Sequence, residues 1–319
     1  MKTVSVIIPV YGEQDALPHL RNRLTEVLKG IESRGYNWEI VFVDDGSTDA
    51  TPDILQSMAQ QDQRIKVICL VRNFGAHVAI KTGFEFASGD CVINIAADLQ
   101  EPPELISEML DSWDGDGFPV VAAVRKKLVG TPLSRVCSRI FYATINVATS
   151  IKLPPSGSDM VLLDRTVVNQ LLQMHEHNSD TLGQVFWMGF PTKWIQFERQ
   201  EREHGSSGWT LSKKIKAFID FLLCFSYLPI RIYSVFGLIV ACLGFLWGAV
   251  IILNRLLEKN PVQGWPSMMV ALLILSGIII LGQGVLGEYI WRTLDEVRHR
   301  PSRIIRKTWN IEKQISEET

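Results

Sequence analysis

The chain has 319 residues, a formal net charge of −2 and a hydrophobic content of 47%. The nearly balanced charge gives no footprint for nucleic acid, and the apolar share is high for a purely soluble protein. The excess is local: residues 1 to about 208 read as an ordinary charged globular domain, whereas Ile232 to Trp291 holds two long apolar segments separated by a short polar loop.

Val4 to Val10 is a β-branched run that ends at Pro9-Val10-Tyr11-Gly12-Glu13. A helix follows, with Leu17, Leu20, Leu24, Val27, Leu28 and Ile31 on one face at helical spacing. Glu39 to Val43 is the next strand and runs into the acid-rich turn Asp44-Asp45-Gly46-Ser47-Thr48-Asp49, after which Thr51 and Pro52 suit the start of a second helix. Ile65 to Val71 reads as a third strand, followed by Arg72-Asn73-Phe74-Gly75 and a helix over residues 76 to 87. The fourth strand, Val92 to Ile95, is apolar throughout and leads into Asp98-Leu99-Gln100-Glu101. Pro102 and Pro103 stop it, and a helix through Leu105, Ile106, Met109 and Leu110 comes next.

Strands alternating with helices over short links predict an α/β fold with a mainly parallel sheet covered on both faces. Its acidic loops then gather at one edge, outside the carboxyl ends of the strands, where such sheets bind ligands. Neither GxGxxG nor GxxxxGK[ST] occurs, so no glycine-rich cradle for phosphate is expected, and a bound pyrophosphate needs a cation or arginines.

Further along, Leu211, Ile215, Phe218, Ile219, Leu222 and Leu223 recur at helical spacing beside Lys213, Lys214 and Lys216, a pattern suited to a helix lying on an anionic leaflet. Ile232 to Leu253 carries no charge, and the segment from about Ser267 to Ile290 is charged only at Glu288. Each reaches the roughly 20 residues a membrane-spanning helix needs. Basic residues flank the pair at Lys213, Lys214, Lys216 and Arg231 and again from Arg292 to Lys307, while the loop between has only Arg255 and Lys259. The positive-inside bias therefore predicts a multi-pass protein of the cytoplasmic (inner) membrane, with its large domain and both termini in the cytoplasm. The five cysteines show no CxxC pairing and read as buried free thiols. Expected boundaries are a catalytic domain over 1–208, a juxtamembrane amphipathic helix over 209–231, a two-helix anchor over 232–291 and a basic tail over 292–319.

The segments Ser5 to Glu13, Asp44 to Asp49, Arg72 to Gly75, Ala97 to Glu104, Phe141-Tyr142 and Phe225 to Arg231, in this order and followed by paired spans, resemble the family 2 glycosyltransferases that act on polyprenyl phosphates. Bactoprenol-phosphate glucosyltransferases and dolichol-phosphate mannose synthases are members. The resemblance implies a GT-A fold and the inverting transfer of one sugar from a nucleotide donor, most simply glucose from UDP-glucose, to undecaprenyl phosphate. A UDP-linked amino-arabinose derivative or GDP-mannose as donor, and a catalytically silent nucleotide-sugar binder, are the alternatives. Relatives also form homo-oligomers, and Gly277, Gly282, Gly284 and Gly287 in the second span are compatible with close helix packing.

By the same resemblance Pro9, Tyr11, Glu13, Asp44 and Asp45 line the nucleotide site, with Asp45 accepting from a uracil imide N–H. Asp98 and Gln100 hold Mg²⁺ or Mn²⁺, hard ions that use few protein carboxylates and take further oxygen ligands from phosphates. Arg125, Arg135 and Ser138, with Arg139 as an alternative to Arg135, bind the lipid phosphate or pyrophosphate, and Arg202 lies in a charged loop that closes over the donor. Relatives often carry a lysine where this chain has Gly208. Asp159 stands near the reacting centre, as an orienting group rather than a base, because a phosphate monoester already carries negative charge. Relatives usually have an aspartate two positions before Asp98, where this chain has Ala96. Ala96→Asp is expected to tighten the apparent metal requirement of turnover in a metal titration; an unchanged curve would mean that position 96 does not face the ion.

Overall fold

The computed structural model describes residues 1–126, 143–146, 149, 154, 158, 160–174, 176, 179–198, 220, 223–226, 228–256 and 264–311. Two compact units emerge: residues 1–214 with 301–319, and residues 215–300.

The first unit opens with β1 (Thr3–Val10), α1 (Leu17–Ser33), β2 (Asn37–Asp44), α2 (Thr51–Gln61), β3 (Ile65–Leu70), α3 (Ala76–Phe86) and β4 (Cys91–Asn94). It continues through α4 (Leu105–Leu110), which widens into a π turn over Asp111–Gly115, then β5 (Val120–Arg125), β6 (Met160–Asp164), α5 (Arg165–Leu172), α6 (Thr181–Trp187), β7 (Thr192–Phe197) and finally β8 (Ile305–Trp309). The strands form one eight-stranded sheet in the order β7-β5-β6-β4-β1-β2-β3-β8. Only β6 and β8 run against the others, so the mainly parallel α/β sheet of the GT-A type expected from the sequence is present.

Side-chain alternation builds a core on each face of this sheet. Val4, Val6 and Ile8 of β1 pack with Leu17, Leu20, Leu24, Leu28 and Ile31 of α1 and with Leu55 of α2. Ile7, pointing the other way, meets Ile80 and Phe84 of α3. The α1 leucines are completely buried, and each contributes roughly 1.5–3 kcal/mol by the transfer of its side chain from water. Gly83 lets α3 lie close to β1, since a Cβ there would come within 2.1 Å of Ile7 Cγ2. The helix start expected at Thr51-Pro52 is present, but Thr51 is already the first helical residue, and Asp49 Oδ1 accepts from its N–H at 3.1 Å.

A buried polar node ties the opposite end of the sheet. Glu39 accepts from Ser5 Oγ at 2.6 Å and Ser88 Oγ at 2.7 Å, and Lys66 Nζ lies 2.7 Å from it. Burial opposes the Glu39 charge, but these donors outweigh it and hold the carboxyl below the usual range. The Cys69 and Cys91 thiols are buried and free, and burial raises both, as expected for inert structural thiols.

The basic stretch after the second apolar helix is the main departure from the sequence expectation of a tail over 292–319. Within it, β8 pairs antiparallel with β3 at the sheet edge. Ile305 and Trp309 add to the two cores, Arg303 pairs with Glu85, and the Asn310 amide donates to Ala59 O at 2.6 Å and Ile65 O at 2.9 Å. Asn310 has φ +55°, a conformation asparagine tolerates better than most residues.

The second unit contains α7 (Leu228–Leu256) and α8 (Trp265–Val297). Leu228–Leu253 and Met268–Val297 are each long and apolar enough to cross a membrane. Gly282 seats Tyr233, whose ring would be 1.8 Å from a Cβ, whereas Gly277, Gly284 and Gly287 face open space. Arg292 at the end of this unit pairs with Asp220 at 2.5 Å. Most of the amphipathic segment expected over 209–231 lies outside the described residues.

Asn310→Ala removes the amide that pins the end of β8, and is expected to cost about 1–2 kcal/mol at roughly 1 kcal/mol per hydrogen bond. A lowered thermal midpoint of the full-length protein checks this, and an unchanged midpoint would show the pin to be dispensable.

Candidate functional site

The strand order places the carboxyl ends of β4, β1, β2 and β3 side by side, and backbone N–H groups join the loops after β1 and β2. Asp45 N donates to Val10 O at 2.8 Å, Gly12 N to Ser47 Oγ at 2.9 Å and Glu13 N to Thr51 Oγ1 at 3.0 Å. The loop after β1 thus hangs on the loop after β2. Pro9 lies beyond the last β1–β4 pair, Ile7 with Asn94, in a stretch where a missing N–H is tolerated. Tyr11 is 54% exposed at the loop tip, a large aromatic left open to the mouth of the sheet.

Asp44 and Asp45 are both buried. Asp44 Oδ1 accepts from Ser47 N at 3.0 Å, closing the turn. Asp45 accepts from Phe74 N at 2.7 Å and Gly75 N at 2.8 Å, one bond to each carboxylate oxygen. It therefore clamps the Arg72-Asn73-Phe74-Gly75 loop and keeps further lone pairs for a ligand donor. Burial raises the Asp45 pKa and the two backbone bonds oppose that rise, while neighbouring Asp44 adds to it. Gly46 has φ +75°, and a Cβ there would lie 2.4 Å from the carbonyl carbon of Arg72, so the turn and the following loop touch backbone to backbone.

At the end of β4 the chain turns sharply. Asp98 Oδ1 accepts from Gln100 N at 3.2 Å, and Leu99 between them has φ +57° while 2% exposed. A buried leucine in the left-handed region is backbone strain held by packing, a feature that clusters at ligand sites. Asp98, Ala96 and Gln100 are half-buried and Glu101 is buried. No group of three or more His, Cys, Asp or Glu side chains that could hold a metal occurs among the described residues. One carboxylate with a neighbouring amide still fits a hard divalent ion that draws its remaining ligands from phosphate and water.

On the other side of β4, Asn94 Oδ1 accepts from Val161 N at 3.1 Å, which fixes the start of β6 beside the end of β4. Arg125 is the last residue of β5, and the neighbouring Lys126 N donates to Phe197 O at 2.9 Å. The structure thus brings Pro9, Tyr11, Glu13, Asp44, Asp45, Asp98, Gln100 and Arg125 to the same end of one sheet. Arg135, Ser138, Arg139, Asp159, Arg202 and Gly208 lie outside the described residues.

Sequence reasoning did not single out Ser47, Thr51, Leu99 or Arg306 for the site. Ser47 and Thr51 sit in the motif but serve through hydroxyls aimed at another loop. Arg306 arrives from the far end of the chain, with its Nη2 3.9 Å from Asp44 Oδ2, and no local signal marks it.

Gly46→Ala would meet both the left-handed φ and the Arg72 backbone. The expected loss is about 2–5 kcal/mol, from roughly 1–2 kcal/mol of conformational strain and 1–3 kcal/mol of overpacking. Denaturation of the purified variant checks this, and wild-type stability would mean the two loops can separate.

The family model for glycosyl transferase family 2 matches residues 5–172. The chain is 35% identical over 305 residues to the SfII prophage-derived bactoprenol glucosyl transferase of Shigella flexneri, covering 96% of this chain and 98% of that protein. It is 36% identical over 303 residues to the undecaprenyl-phosphate 4-deoxy-4-formamido-L-arabinose transferase of Edwardsiella ictaluri, covering 93% and 91%. Among solved structures, glucosyl-3-phosphoglycerate synthase from Mycobacterium tuberculosis in complex with Mn²⁺, UDP and phosphoglyceric acid is similar with a TM-score of 0.48 and 16% identity, over 70% of this chain and 76% of that one. The acidic strand ends, the GT-A-like sheet and the family match agree: this chain belongs to glycosyl transferase family 2 and is a glycosyltransferase.

Proposed function

We propose that the enzyme transfers a single sugar, glucose from UDP-glucose, to undecaprenyl phosphate at the cytoplasmic face of the membrane. The observation that carries this reading is the likeness to a bactoprenol glucosyl transferase over 96% of the chain, which extends past the catalytic sheet through both apolar helices. A second donor, a UDP-linked 4-deoxy-4-formamido-L-arabinose, is favoured by the comparable likeness to a transferase of that sugar.

In this reading the base and ribose lie against Pro9, Tyr11 and Glu13, with the Asp44–Asp45 turn beneath them. Asp45 offers the acceptor for an imide N–H through the lone pairs left after its two backbone bonds. Asp98 and Gln100 would hold Mg²⁺ or Mn²⁺, which when bound offsets the charge of the donor pyrophosphate. Arg125, Arg135, Ser138 and Arg202 hold the acceptor phosphate or the pyrophosphate. A phosphate oxygen of the lipid attacks the anomeric carbon from the face opposite the departing UDP; the new carbon–oxygen bond forms as the bond to pyrophosphate breaks, and configuration inverts. Asp159 orients the attacking phosphate.

The membrane reading gains support from connectivity. The chain leaves the first unit after residue 214 and returns to it at residue 301, with β8 hydrogen-bonded in the same sheet as β1 to β7. Such a return requires an even number of crossings, so α7 and α8 as two spans put both flanks on one side. Basic flanking residues assign that side to the cytoplasm. Self-association is part of the proposal, with Gly277, Gly284 and Gly287 on open helix surface.

Membranes containing only this protein, given labelled UDP-glucose, undecaprenyl phosphate and Mg²⁺ or Mn²⁺, are expected to yield labelled glucosyl lipid. Label transferred only from the amino-arabinose donor would replace glucose by that sugar, and no lipid product from either donor would defeat the reading. In the same assay Asp159→Asn is expected to retain turnover within about tenfold, whereas a loss of 10²-fold or more would indicate the general base that the mechanism omits.

Acid should weaken nucleotide binding. The ionised Asp45 carboxylate is the stronger acceptor for the imide N–H hydrogen bond, and its pKa lies above the ordinary 3.8. UDP affinity is therefore expected to fall with pH before ordinary aspartates titrate. The sign for folding is opposite: a raised carboxyl pKa favours the folded apoprotein below the unfolded pKa, and this contribution is lost as pH rises through the folded one. Calorimetric UDP titrations down the pH scale, with Asp45→Asn as the variant that lacks the titration, check the assignment.

A further inference from the structure

Asp44 is completely buried at the end of β2, and its Oδ1 accepts a hydrogen bond from Ser47 N. Oδ2 has no hydrogen-bond partner among the described residues. A buried carboxylate oxygen in that position calls for a cation, and the nearest ion-pair partner comes from β8: Arg306 Nη2 lies 3.9 Å from Oδ2.

The placement of Arg306 is built into the strand pairing. Cys69 of β3 pairs with Lys307 and Leu70 pairs with Ile305, so the register shifts and Arg306 is the extra residue of a bulge. A bulge leaves one residue out of the ladder and redirects its side chain. Here the guanidinium reaches past β3 to Asp44, which is itself paired with Cys69 across the β2–β3 ladder. The Cys69 thiol lies against the same two groups; burial and then the Asp44 charge push it up to about 12, so it stays a neutral thiol and leaves Arg306 as the compensating charge.

The consequence reaches the mouth of the sheet. Asp44 closes the turn through Ser47 N, Ser47 Oγ holds Gly12 N, and the next residue, Asp45, clamps Phe74 and Gly75. We propose that Arg306, delivered by the strand that follows the two apolar helices, is a positioning residue for nucleotide binding: it holds Asp44, and through it the loops after β1, β2 and β3, in the binding geometry. This rests on the reading of the Asp44–Asp45 turn as part of the nucleotide site. The strand itself does not depend on Arg306, since Asn310, Trp309 and Arg303 fasten it elsewhere.

The test uses the full-length protein in lipid nanodiscs and UDP as the probe, measured by calorimetric titration beside the thermal midpoint. Arg306→Ala is expected to weaken UDP binding about fivefold or more when measured well below its midpoint, which falls because Asp44 loses its counter-charge, and Arg306→Lys to recover most of both losses. Lys307→Ala, one residue along the strand, is expected to bind like the wild type. Asp44→Asn is expected to weaken binding, and adding Arg306→Ala to it to produce little further loss, because both act through one interaction. Wild-type affinity in Arg306→Ala beside weakened Asp44→Asn overturns the positioning role and leaves the nucleotide site intact. Unchanged affinity in Asp44→Asn overturns both. Losses that multiply in the double variant, or an Arg306→Lys as weak as Arg306→Ala, also overturn it. Should Arg306→Ala fail to fold, Arg306→Met, which keeps the aliphatic stem, takes its place with the same expected results.

Discussion

Two adjacent buried carboxylates at the end of β2 hold the open end of this sheet together. Parallel strands converge there with their loops facing water, and the ladder itself does little to fix one loop to the next beyond the bond from Asp45 N to Val10 O. Asp45 supplies that connection by accepting from the backbone of Phe74 and Gly75, and Asp44 closes its own turn through the N–H of Ser47, whose hydroxyl in turn holds Gly12 N. Charge-assisted bonds of this kind are stronger than neutral ones, and in a buried setting their loss leaves both an unpaired charge and orphaned N–H groups. The same arrangement that sets loop geometry supplies the acidic surface on which a nucleotide is proposed to rest.

The catalytic unit is discontinuous in sequence. Its sheet is complete only when the chain returns after α8 and adds β8 beside β3. An edge strand that is itself covered by nothing is a liability, and β8 covers β3 with a strand whose two ends, Ile305 and Trp309, pack against the cores while Arg306, Lys307 and Thr308 between them are exposed. The bulge between Cys69 and Leu70 then gives the edge a second use, because it turns Arg306 toward the buried Asp44. The strand that follows the two apolar helices is thereby joined to the Asp44 turn by a side-chain contact as well as by the sheet.

At the end of β4 the physical theme changes from buried charge to backbone strain. Leu99 in a left-handed conformation, held by burial, separates Asp98 from Gln100. With alanine at position 96, Asp98 and Gln100 offer one carboxylate and one amide, a donor set that suits an ion coordinated chiefly by its substrate. Binding of ion and donor would then be interdependent, as expected when neither site is complete alone.

The alternation of apolar strands with helices of regular hydrophobic spacing was enough to read β1 through β4 and the helices between them, because those elements are local and their pattern follows from which face is buried. The two apolar helices were legible for the same reason, since their length and lack of charge are properties of the segment itself. The acidic motifs named Asp44, Asp45, Asp98 and Gln100, and a parallel sheet gathers such strand ends whatever the details of its packing. Only the tertiary structure decided what those groups do to one another: that Asp45 clamps the Phe74–Gly75 backbone, that Ser47 and Thr51 serve the loop after β1, and that a basic stretch read as a tail is a strand carrying Arg306 to Asp44. These are contacts between residues tens to hundreds of positions apart, set by sheet order and by one bulge, and composition or periodicity within a window carries no record of either.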